Sequence, residues 1–265
     1  MSHDLVWLDG EYLSANEARV SVFDRGFSYG DGVFTTLRVG DGEPLLLEKH
    51  LARLGRDLAA LYIPRPYASE LESACYGLIR RLELLEAVLK ITITRGAGGR
   101  GPLPPEEPSP TVLISASPLP PQRAPLRAVT VPDERGSPAR HKTLNYLPSV
   151  LALREARERG CDEAIFARDG LLVEASVSNL VALNGDKLVT PAAGALPGIA
   201  REALLESGAV GEGDVPADTR GPLYCVNSVR GVEPVAELEG RELIRDSRTQ
   251  ERLTEALREC GALPD

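Results

Sequence analysis

Apolar residues recur along the chain at two spacings, and each spacing predicts a different kind of element. Leucines between residues 48 and 62 recur every three or four positions, which is typical of a helix with one buried face. Short runs in which apolar and polar residues alternate predict strands instead. The predicted strands lie at residues 5–8, 33–39, 88–95, 111–117, 163–166, 171–174, 179–183 and 223–226, and the predicted helices at 48–62, 69–84, 148–159, 198–207 and 248–260.

The strand predicted at residues 88–95 has an apolar face and a polar face. Side chains alternate between the two faces of a strand. One face therefore carries Leu89, Ile91 and Ile93, and the other carries Lys90, Thr92 and Thr94. On a half-buried strand the polar face points either to solvent or to a site, which makes Lys90 a candidate functional residue.

A proline-rich stretch divides the chain. Such a stretch is stiff and unsuited to a sheet interior, and it contains Pro118, Pro120, Pro121 and Pro125. We therefore expect a smaller N-terminal domain at residues 1–117, a connector at 118–126 and a larger C-terminal domain at 127–265. Strands and helices in both halves predict an α+β protein of two α/β-type domains, with the active site in the cleft between them.

Composition narrows the classes of function. A formal net charge of −9 argues against a nucleic-acid binder, because phosphate recognition requires a basic surface. The four cysteines are scattered without a C-x-x-C pair, and no apolar run approaches the roughly 18 residues of a membrane span. The first residues show no signal peptide. We expect a soluble, cytoplasmic protein that binds neither a metal nor a membrane.

Two side chains are candidates for catalysis. Lys142 precedes the helix predicted at 148–159. Most loop lysines are solvated, and a lysine that forms a Schiff base needs a pKa depressed by burial or by a nearby cation. Glu174 ends an apolar strand, where a carboxylate faces either water or a ring nitrogen that it keeps protonated. Neither residue is a specific signal by itself.

Other positions suit the binding of anions. Leu196-Pro197-Gly198 opens a predicted helix, whose N-terminal amides can bind phosphate. Arg53 interrupts the apolar stripe of helix 48–62, so it either extends to solvent or reaches a buried anion. The loop at 95–101 carries Arg95 and Arg100 but lacks the Gly-Lys-Ser/Thr ending of a nucleotide loop, so it suits carboxylates better.

The order of these motifs resembles the class IV, fold-type IV family of pyridoxal-phosphate enzymes. That family includes branched-chain aminotransferases, D-amino-acid aminotransferases and 4-amino-4-deoxychorismate lyases. The resemblance covers nearly the whole chain, from Asp24 to Val235. The matching segments, in family order, are Tyr29-Gly30-Asp31-Gly32-Val33-Phe34, His50-Leu51-Ala52-Arg53-Leu54, Lys142-Thr143-Leu144-Asn145, residues 174–180, Leu196-Pro197-Gly198-Ile199, and Asn227-Ser228 to Pro234-Val235.

The resemblance implies pyridoxal 5'-phosphate as the cofactor and a homodimer as the assembly. It implies that Lys142 forms the Schiff base and moves the proton, and that Glu174 pairs with the pyridine nitrogen. The other residues that it implies for cofactor binding are Arg53, Tyr146, Ser178, Asn179, Leu196, Gly198, Ile199, Ala200 and Ser228. Aminotransferases often have Thr where this chain has Ala200, so one hydroxyl contact to the phosphate is missing here.

Three features of the resemblance favour the lyase. Aminotransferases commonly have Glu at the position of Thr35, branched-chain enzymes tend to have Gly at the position of Asn227, and residues 90–101 are close to the lyase strand and loop. The carboxylate trap of the D-amino-acid enzymes survives here only at Arg95. The residues implied to bind substrate are Phe34, Thr36, Lys90, Arg95, Arg100 and Asn227.

The expected reaction is the conversion of aminodeoxychorismate to 4-aminobenzoate and pyruvate, a step of folate biosynthesis. Two alternatives stay open. The first is a class IV aminotransferase that acts on D-amino or branched-chain amino acids. The second is a non-catalytic family member, which the retention of both Lys142 and Glu174 argues against.

Overall fold

The computed structural model describes residues 4–264, in which the chain forms two compact units. Residues 1–3 and 265 lie outside the described part. Most of the N-terminal stretch used to expect no signal peptide therefore also lies outside it. Unit 1 comprises residues 4–119, 141–145 and 264. Unit 2 comprises Pro120–Arg140 and Tyr146–Leu263. The main passage between the units, at Leu119 and Pro120, falls in the proline-rich stretch. Residues 141–145, which the sequence analysis assigns to the second domain, group with unit 1 instead.

Unit 1 is built on one antiparallel sheet flanked by helices. Its elements are β1 (Leu5–Leu8), β2 (Glu11–Ser14), α1 (Arg25–Tyr29), β3 (Gly32–Gly40), β4 (Glu43–Pro44), α2 (Leu47–Ala60), α3 (Ala68–Leu82), β5 (Ala87–Thr94) and β6 (Val112–Ser117). Within the described residues the sheet has six strands, in the order β2-β1-β6-β5-β3-β4. Helix α2 packs on β3, and α3 packs on β1.

The core of unit 1 lies between one face of this sheet and the two longer helices. Side chains of β3 alternate between the two faces of the sheet. Those on the inner face include Val33, Leu37 and Val39, each of which has no exposed surface. Leu89, Ile91 and Ile93 of β5 join them, so the predicted apolar face of that strand is confirmed. Leucines of α2 and α3 close the cluster from the helix side: Leu54, Leu58, Leu71 and Leu78. The opposite face of β3 and β5 therefore carries Phe34, Thr36, Lys90 and Thr92.

Unit 2 is a larger mixed sheet with three helices longer than one turn in the described residues. Its elements are β7 (Leu126–Pro132), a 3-10 turn (Ser137–Arg140), α4 (Leu147–Glu158), β8 (Glu163–Arg168), β9 (Leu171–Ala175), β10 (Asn179–Asn184), β11 (Lys187–Thr190), α5 (Ile199–Glu206), β12 (Gly211–Glu212), β13 (Val215–Pro216), β14 (Leu223–Asn227), β15 (Gly231–Leu238), β16 (Arg241–Glu242) and α6 (Ser247–Glu259). The strand order is β12-β11-β10-β14-β15-β7-β8-β9-β13, and β16 pairs with β15. Strand β7 runs parallel to both β8 and β15.

All thirteen elements predicted from periodicity are confirmed, with ends that differ by at most a few residues. Two longer strands, β7 and β15, were missed. Prolines in or beside both strands argued against a strand there, because proline lacks the N–H that a sheet interior requires. β7 follows Pro125 and ends at Pro132, and β15 contains Pro234. β15 accommodates its proline next to a register shift between Val235 and Glu237.

The segment between β2 and β3 contains the short helix α1. Its N-cap, Asp24, is fully buried and accepts a hydrogen bond from the Gly26 amide at 2.7 Å. The same carboxylate accepts from the hydroxyls of Thr94 and Thr111, at 2.8 and 2.9 Å. Asp24 therefore fastens the start of α1 to the ends of β5 and β6.

No helix between residues 4 and 264 is long and apolar enough to cross a bilayer. The same residues contain no group of three or more His, Cys, Asp or Glu side chains placed to hold a metal ion.

Candidate active site

Lys142 is positioned by the edge of strand β3. The residues around it run alongside the start of β3: the Phe34 amide donates to the Lys142 carbonyl at 2.9 Å, and the Leu144 amide donates to the Gly32 carbonyl at 2.9 Å. Gly32 allows this close approach, since a Cβ there would lie 2.8 Å from the Leu144 side chain. The backbone of Lys142 is thus held by the sheet of unit 1, as an added short strand would be.

The side chain of Lys142 lies over an aromatic ring that a second lysine shares. The Nζ atoms of Lys142 and Lys90 each lie 4.6 Å from the centre of the Phe34 ring. Partial burial lowers the pKa of Lys90, and the positive charge of Lys142 lowers it further. Two amines therefore meet on the polar face of β3 and β5, as the alternation in residues 88–95 suggests for Lys90.

A buried carboxylate of α2 fixes the segment that carries Lys142. Asp57, 2% exposed, accepts from the His141 ring nitrogen Nδ1 at 2.9 Å and from the Lys142 amide at 3.3 Å. The sequence analysis missed Asp57. His50, Arg53 and Asp57 are polar residues at three- and four-residue spacing on the buried face of one helix, and that spacing is the signal that would have found it.

Arg53 belongs to a buried hydrogen-bonded chain with Thr35 and His50. Arg53 Nη2 donates to Thr35 Oγ1 at 3.0 Å, and Thr35 Oγ1 lies 2.7 Å from His50 Nδ1. Burial lowers the pKa of His50 well below its ordinary value, and Arg53 and Lys142 lower it further. Thr35 Oγ1 thus joins His50 Nδ1 and the Arg53 guanidinium, and this arrangement fixes the guanidinium beneath β3.

The two arginines of the 95–101 loop differ in their surroundings. Arg95 is 6% exposed and donates to both oxygens of Asp31, at 2.8 and 3.0 Å, and to the carbonyls of Leu61 and Tyr62. A substrate carboxylate would have to compete with these acceptors for Arg95. Arg100 is exposed on the same loop. Their assignment to substrate binding stays a prediction, and the contacts of Arg95 indicate that it also holds the loop in place.

Glu174, in unit 2, has both carboxylate oxygens engaged. Oε2 accepts from the Leu196 amide at 2.9 Å and from Asn179 Nδ2 at 3.4 Å. Oε1 accepts from Arg135 Nη1 at 2.5 Å. Asn179 Nδ2 also donates to the Leu196 carbonyl at 2.8 Å. The end of β9 and the turn before α5 are thereby joined around one carboxylate, which is 6% exposed.

The N-terminus of α5 follows directly. The first amides of a helix have no acceptor within the helix, and the N-cap Gly198 has no side chain to supply one. The amides of the buried residues Ile199 and Ala200 are among them. Such a terminus favours an anion such as a phosphate.

Gly198 is needed for the contact between this turn and Asn179. A Cβ at position 198 would lie 2.0 Å from Asn179 Oδ1. We expect Gly198→Ala to displace Asn179, lower the stability of unit 2 by about 1–3 kcal/mol, and weaken cofactor binding. Gly211→Ala is the matched control, because a Cβ there meets nothing within 4 Å. Thermal unfolding and cofactor titration of both variants check this, and equal behaviour of the two would contradict it.

The remaining predicted residues occupy both units. Asn227 Nδ2 donates to Ser178 Oγ at 2.8 Å, and Asn227 Oδ1 accepts from the amides of Val229 and Arg230. Asn227 thus shapes the turn that presents Ser228, so its contacts in the structure are those of a turn residue. Thr36 faces the same side of unit 1 as Lys90, its partner in the sheet register. Tyr146 stands at the N-cap of α4 in unit 2.

Comparisons with known proteins decide the family. The family model described as amino-transferase class IV matches residues 32–238. The chain belongs to the class IV aminotransferase family. A relative from Methanocaldococcus jannaschii, assigned as a branched-chain-amino-acid aminotransferase, is 32% identical over 89% of this chain and 88% of its own length. The aminodeoxychorismate lyase of Bacillus subtilis is 30% identical over 77% of this chain and 73% of its own.

A solved structure agrees with the fold and the cofactor. The PLP-bound form of a hypothetical aminotransferase from Mycobacterium tuberculosis has a TM-score of 0.85 and 26% identity, covering 97% of this chain and 98% of that one. The expected fold-type IV architecture is therefore confirmed. Pyridoxal phosphate is the cofactor of this class IV enzyme, also as expected.

The residues of the chain fit that cofactor by their chemistry. Unit 1 offers a primary amine, Lys142, and a buried guanidinium, Arg53. Unit 2 offers a helix N-terminus at Ile199 and a carboxylate at Glu174. An aldehyde, a phosphate and a basic ring nitrogen are the groups that these donors and acceptors suit. All four were predicted from the sequence. Asp57 and Arg135 were not, although each contacts one of the four or its backbone.

Proposed function

We propose that this class IV enzyme is an aminodeoxychorismate lyase that forms 4-aminobenzoate and pyruvate. The observation that carries the proposal is the pair of lysine Nζ atoms over the Phe34 ring. One amine, Lys142, serves the cofactor. The other, Lys90, is then a cation available for a substrate carboxylate, and aminodeoxychorismate carries two carboxylates.

The proposed division of labour follows from the contacts of each residue. When bound, pyridoxal phosphate supplies an electron sink conjugated to the substrate amino group. Lys142, whose backbone is fixed by β3 and Asp57, takes the proton from the carbon that bears the nitrogen. The carbon–oxygen bond to the enolpyruvyl group then breaks, the ring becomes aromatic, and the departing enolate takes up a proton to become pyruvate. The atoms of aminodeoxychorismate are thus divided between the two products.

Aromatisation makes the elimination favourable, so the chain mainly has to bind, orient and desolvate the substrate. In the proposal Arg53 and the α5 amides hold the phosphate, while Glu174 holds the ring nitrogen.

Thr35 supports the lyase over the aminotransferase. A glutamate at position 35, common in aminotransferases, would place a second charge in the fully buried site where the Thr35 hydroxyl now joins His50 and Arg53.

One assay separates the lyase from the aminotransferase. The holoenzyme is supplied with aminodeoxychorismate, and separately with L- and D-amino acids plus 2-oxoglutarate. Stoichiometric 4-aminobenzoate and pyruvate, formed faster than glutamate, is the expected result. Fast glutamate formation without 4-aminobenzoate would overturn the lyase and establish the aminotransferase, which the Methanocaldococcus jannaschii relative supports as the second candidate.

The charge of Lys90 gives the lyase reaction a distinctive pH dependence. Its pKa is lowered, so Lys90 loses its charge at a lower pH than an ordinary lysine does. We expect KM for aminodeoxychorismate to rise as pH increases through that lowered pKa. Lys90→Arg should move this rise to higher pH, since a guanidinium stays charged. Lys90→Met should raise KM about tenfold or more at neutral pH and remove the rise.

KM profiles of the three proteins test this expectation directly. The visible absorbance of the bound cofactor should be retained in both variants, which would show that the change concerns the substrate. A Lys90→Met enzyme with the wild-type KM at every pH would remove Lys90 from the substrate site.

A further inference from the structure

Behind Glu174 lies an arginine that contacts two carboxylates. Arg135 donates from Nη1 to Glu174 Oε1 at 2.5 Å and from Nε to Asp133 Oδ1 at 2.7 Å. The Asp133 side chain has no exposed surface, and its other oxygen accepts from Arg168 Nη2 at 2.5 Å. The four side chains form a chain of alternating charge, in the order Arg168, Asp133, Arg135 and Glu174, within unit 2.

The guanidinium of Arg135 is also fixed by stacking. It lies 3.9 Å from the centre of the Phe166 ring, and Phe166 stands directly opposite Glu174 in the pairing of β8 with β9. A planar group that stacks on a ring and makes hydrogen bonds along two edges has little freedom to rotate. The Arg135 side chain is only 12% exposed. The position of its Nη1 atom against Glu174 is therefore determined by Phe166 and Asp133.

The charges agree with this geometry. Burial by itself would lower the pKa of Arg135, but its hydrogen bond to Asp133 and its attraction to Glu174 raise it above the ordinary value. Burial would raise the pKa of Asp133, but the hydrogen bonds from Arg135 and Arg168 lower it. Arg135 is a charged group that contacts Glu174 directly, and Asp133 and Arg168 stand behind it. Asn179 and the Leu196 amide, which also donate to Glu174, are neutral.

We propose that Arg135 is a positioning residue for Glu174, and that Asp133 and Phe166 hold it for that purpose. The inference rests on the proposed contact of Glu174 with the cofactor ring nitrogen. A cation at 2.5 Å stabilises the ionised form of Glu174 and fixes the direction of one oxygen. Glu174 then meets a protonated ring nitrogen as an oriented carboxylate, with no reorganisation when the cofactor binds.

The test is the affinity of the apo-protein for pyridoxal phosphate, measured by absorbance titration from neutral to acidic pH. Removal of the cation makes Glu174 easier to protonate, so binding is lost at a higher pH as the solution is acidified. For Arg135→Gln we expect the affinity for pyridoxal phosphate to fall about tenfold to a hundredfold at neutral pH. The acid limb, which is the pH range over which binding is lost on acidification, should shift to higher pH. Arg135→Lys keeps the charge, so it should restore the position of the acid limb but not the full affinity.

Arg168→Gln is the matched control, because Arg168 is nearly half exposed and contacts Asp133 but not Glu174. Its binding curve should match the wild type. Arg135→Gln leaves two carboxylates facing each other, so Asp133→Asn/Arg135→Gln provides a second variant that removes one of them. Thermal unfolding of each apo-protein identifies a variant that fails to fold.

The outcomes separate this inference from the function on which it rests. If folded Arg135→Gln, alone or with Asp133→Asn, binds the cofactor as the wild type does at every pH while Glu174→Gln does not, Arg135 has only a structural role. If Glu174→Gln also binds normally, the proposed role of Glu174 is wrong as well. An acid limb that moves in Arg135→Gln, stays in place in Arg168→Gln and returns in Arg135→Lys supports the inference.

Discussion

Replacing Lys142 by alanine is expected to reduce turnover at least about a thousandfold and to abolish the visible absorbance of the bound cofactor. The structure supplies the reason, since hydrogen bonds between the Lys142 backbone and both Phe34 of β3 and Asp57 hold this residue in place. Lys90 shares the Phe34 ring but lies on β5, so we do not expect it to replace the missing amine. Absorbance spectra and single-turnover kinetics of the purified variant measure both effects.

The matched control for Lys142→Ala is Lys187→Ala, since Lys187 is exposed at the start of β11. It should keep the wild-type spectrum and rate. A Lys142→Ala protein that retains both the colour and the turnover would refute the assignment. Slow rescue by added methylamine, a free amine that takes the place of the missing one, would support it.

Glu174→Gln should lower kcat roughly a hundredfold and weaken cofactor binding. Glutamine matches glutamate in shape and can still accept from the Leu196 amide, but it lacks the charge that Arg135 faces and that a protonated ring nitrogen needs. The cofactor spectrum, its dissociation constant and steady-state kinetics measure the change.

Glu242→Gln provides the comparison, because Glu242 is an exposed carboxylate of the same unit. It should leave all three quantities unchanged. Wild-type kinetics and affinity in Glu174→Gln would show that the ring nitrogen is held by another group, and the proposed role of Glu174 would be lost.

The sequence predicted the residues that we propose to contact the cofactor better than the residues that hold them in place. Lys142, Glu174 and Arg53 could be named because their motifs occur in a fixed order. Asp57 and Arg135 could not, because their partners are distant in sequence: Asp57 contacts Lys142, 85 positions away, and Arg135 contacts Glu174, 39 positions away. Only the folded chain brings such pairs together.

The same limit applies to the fold. Periodicity predicted β3, β5 and the longer helices because their apolar faces are continuous. It failed at β7 and β15, where prolines at the ends or inside the strand indicate a connector. It also could not show that residues 141–145 add to the edge of β3, since this short segment has no periodic pattern and is held by hydrogen bonds to Gly32 and Phe34.

The central claim is that Lys142, and not Lys90, is joined to the cofactor. Reduction of the holoenzyme with borohydride fixes the bond between the cofactor and its lysine, and peptide mass mapping then identifies the residue. The account predicts the added phosphopyridoxyl mass on the peptide that contains Lys142 and none on the peptide that contains Lys90. Label on Lys90, or no label on any lysine, would contradict it.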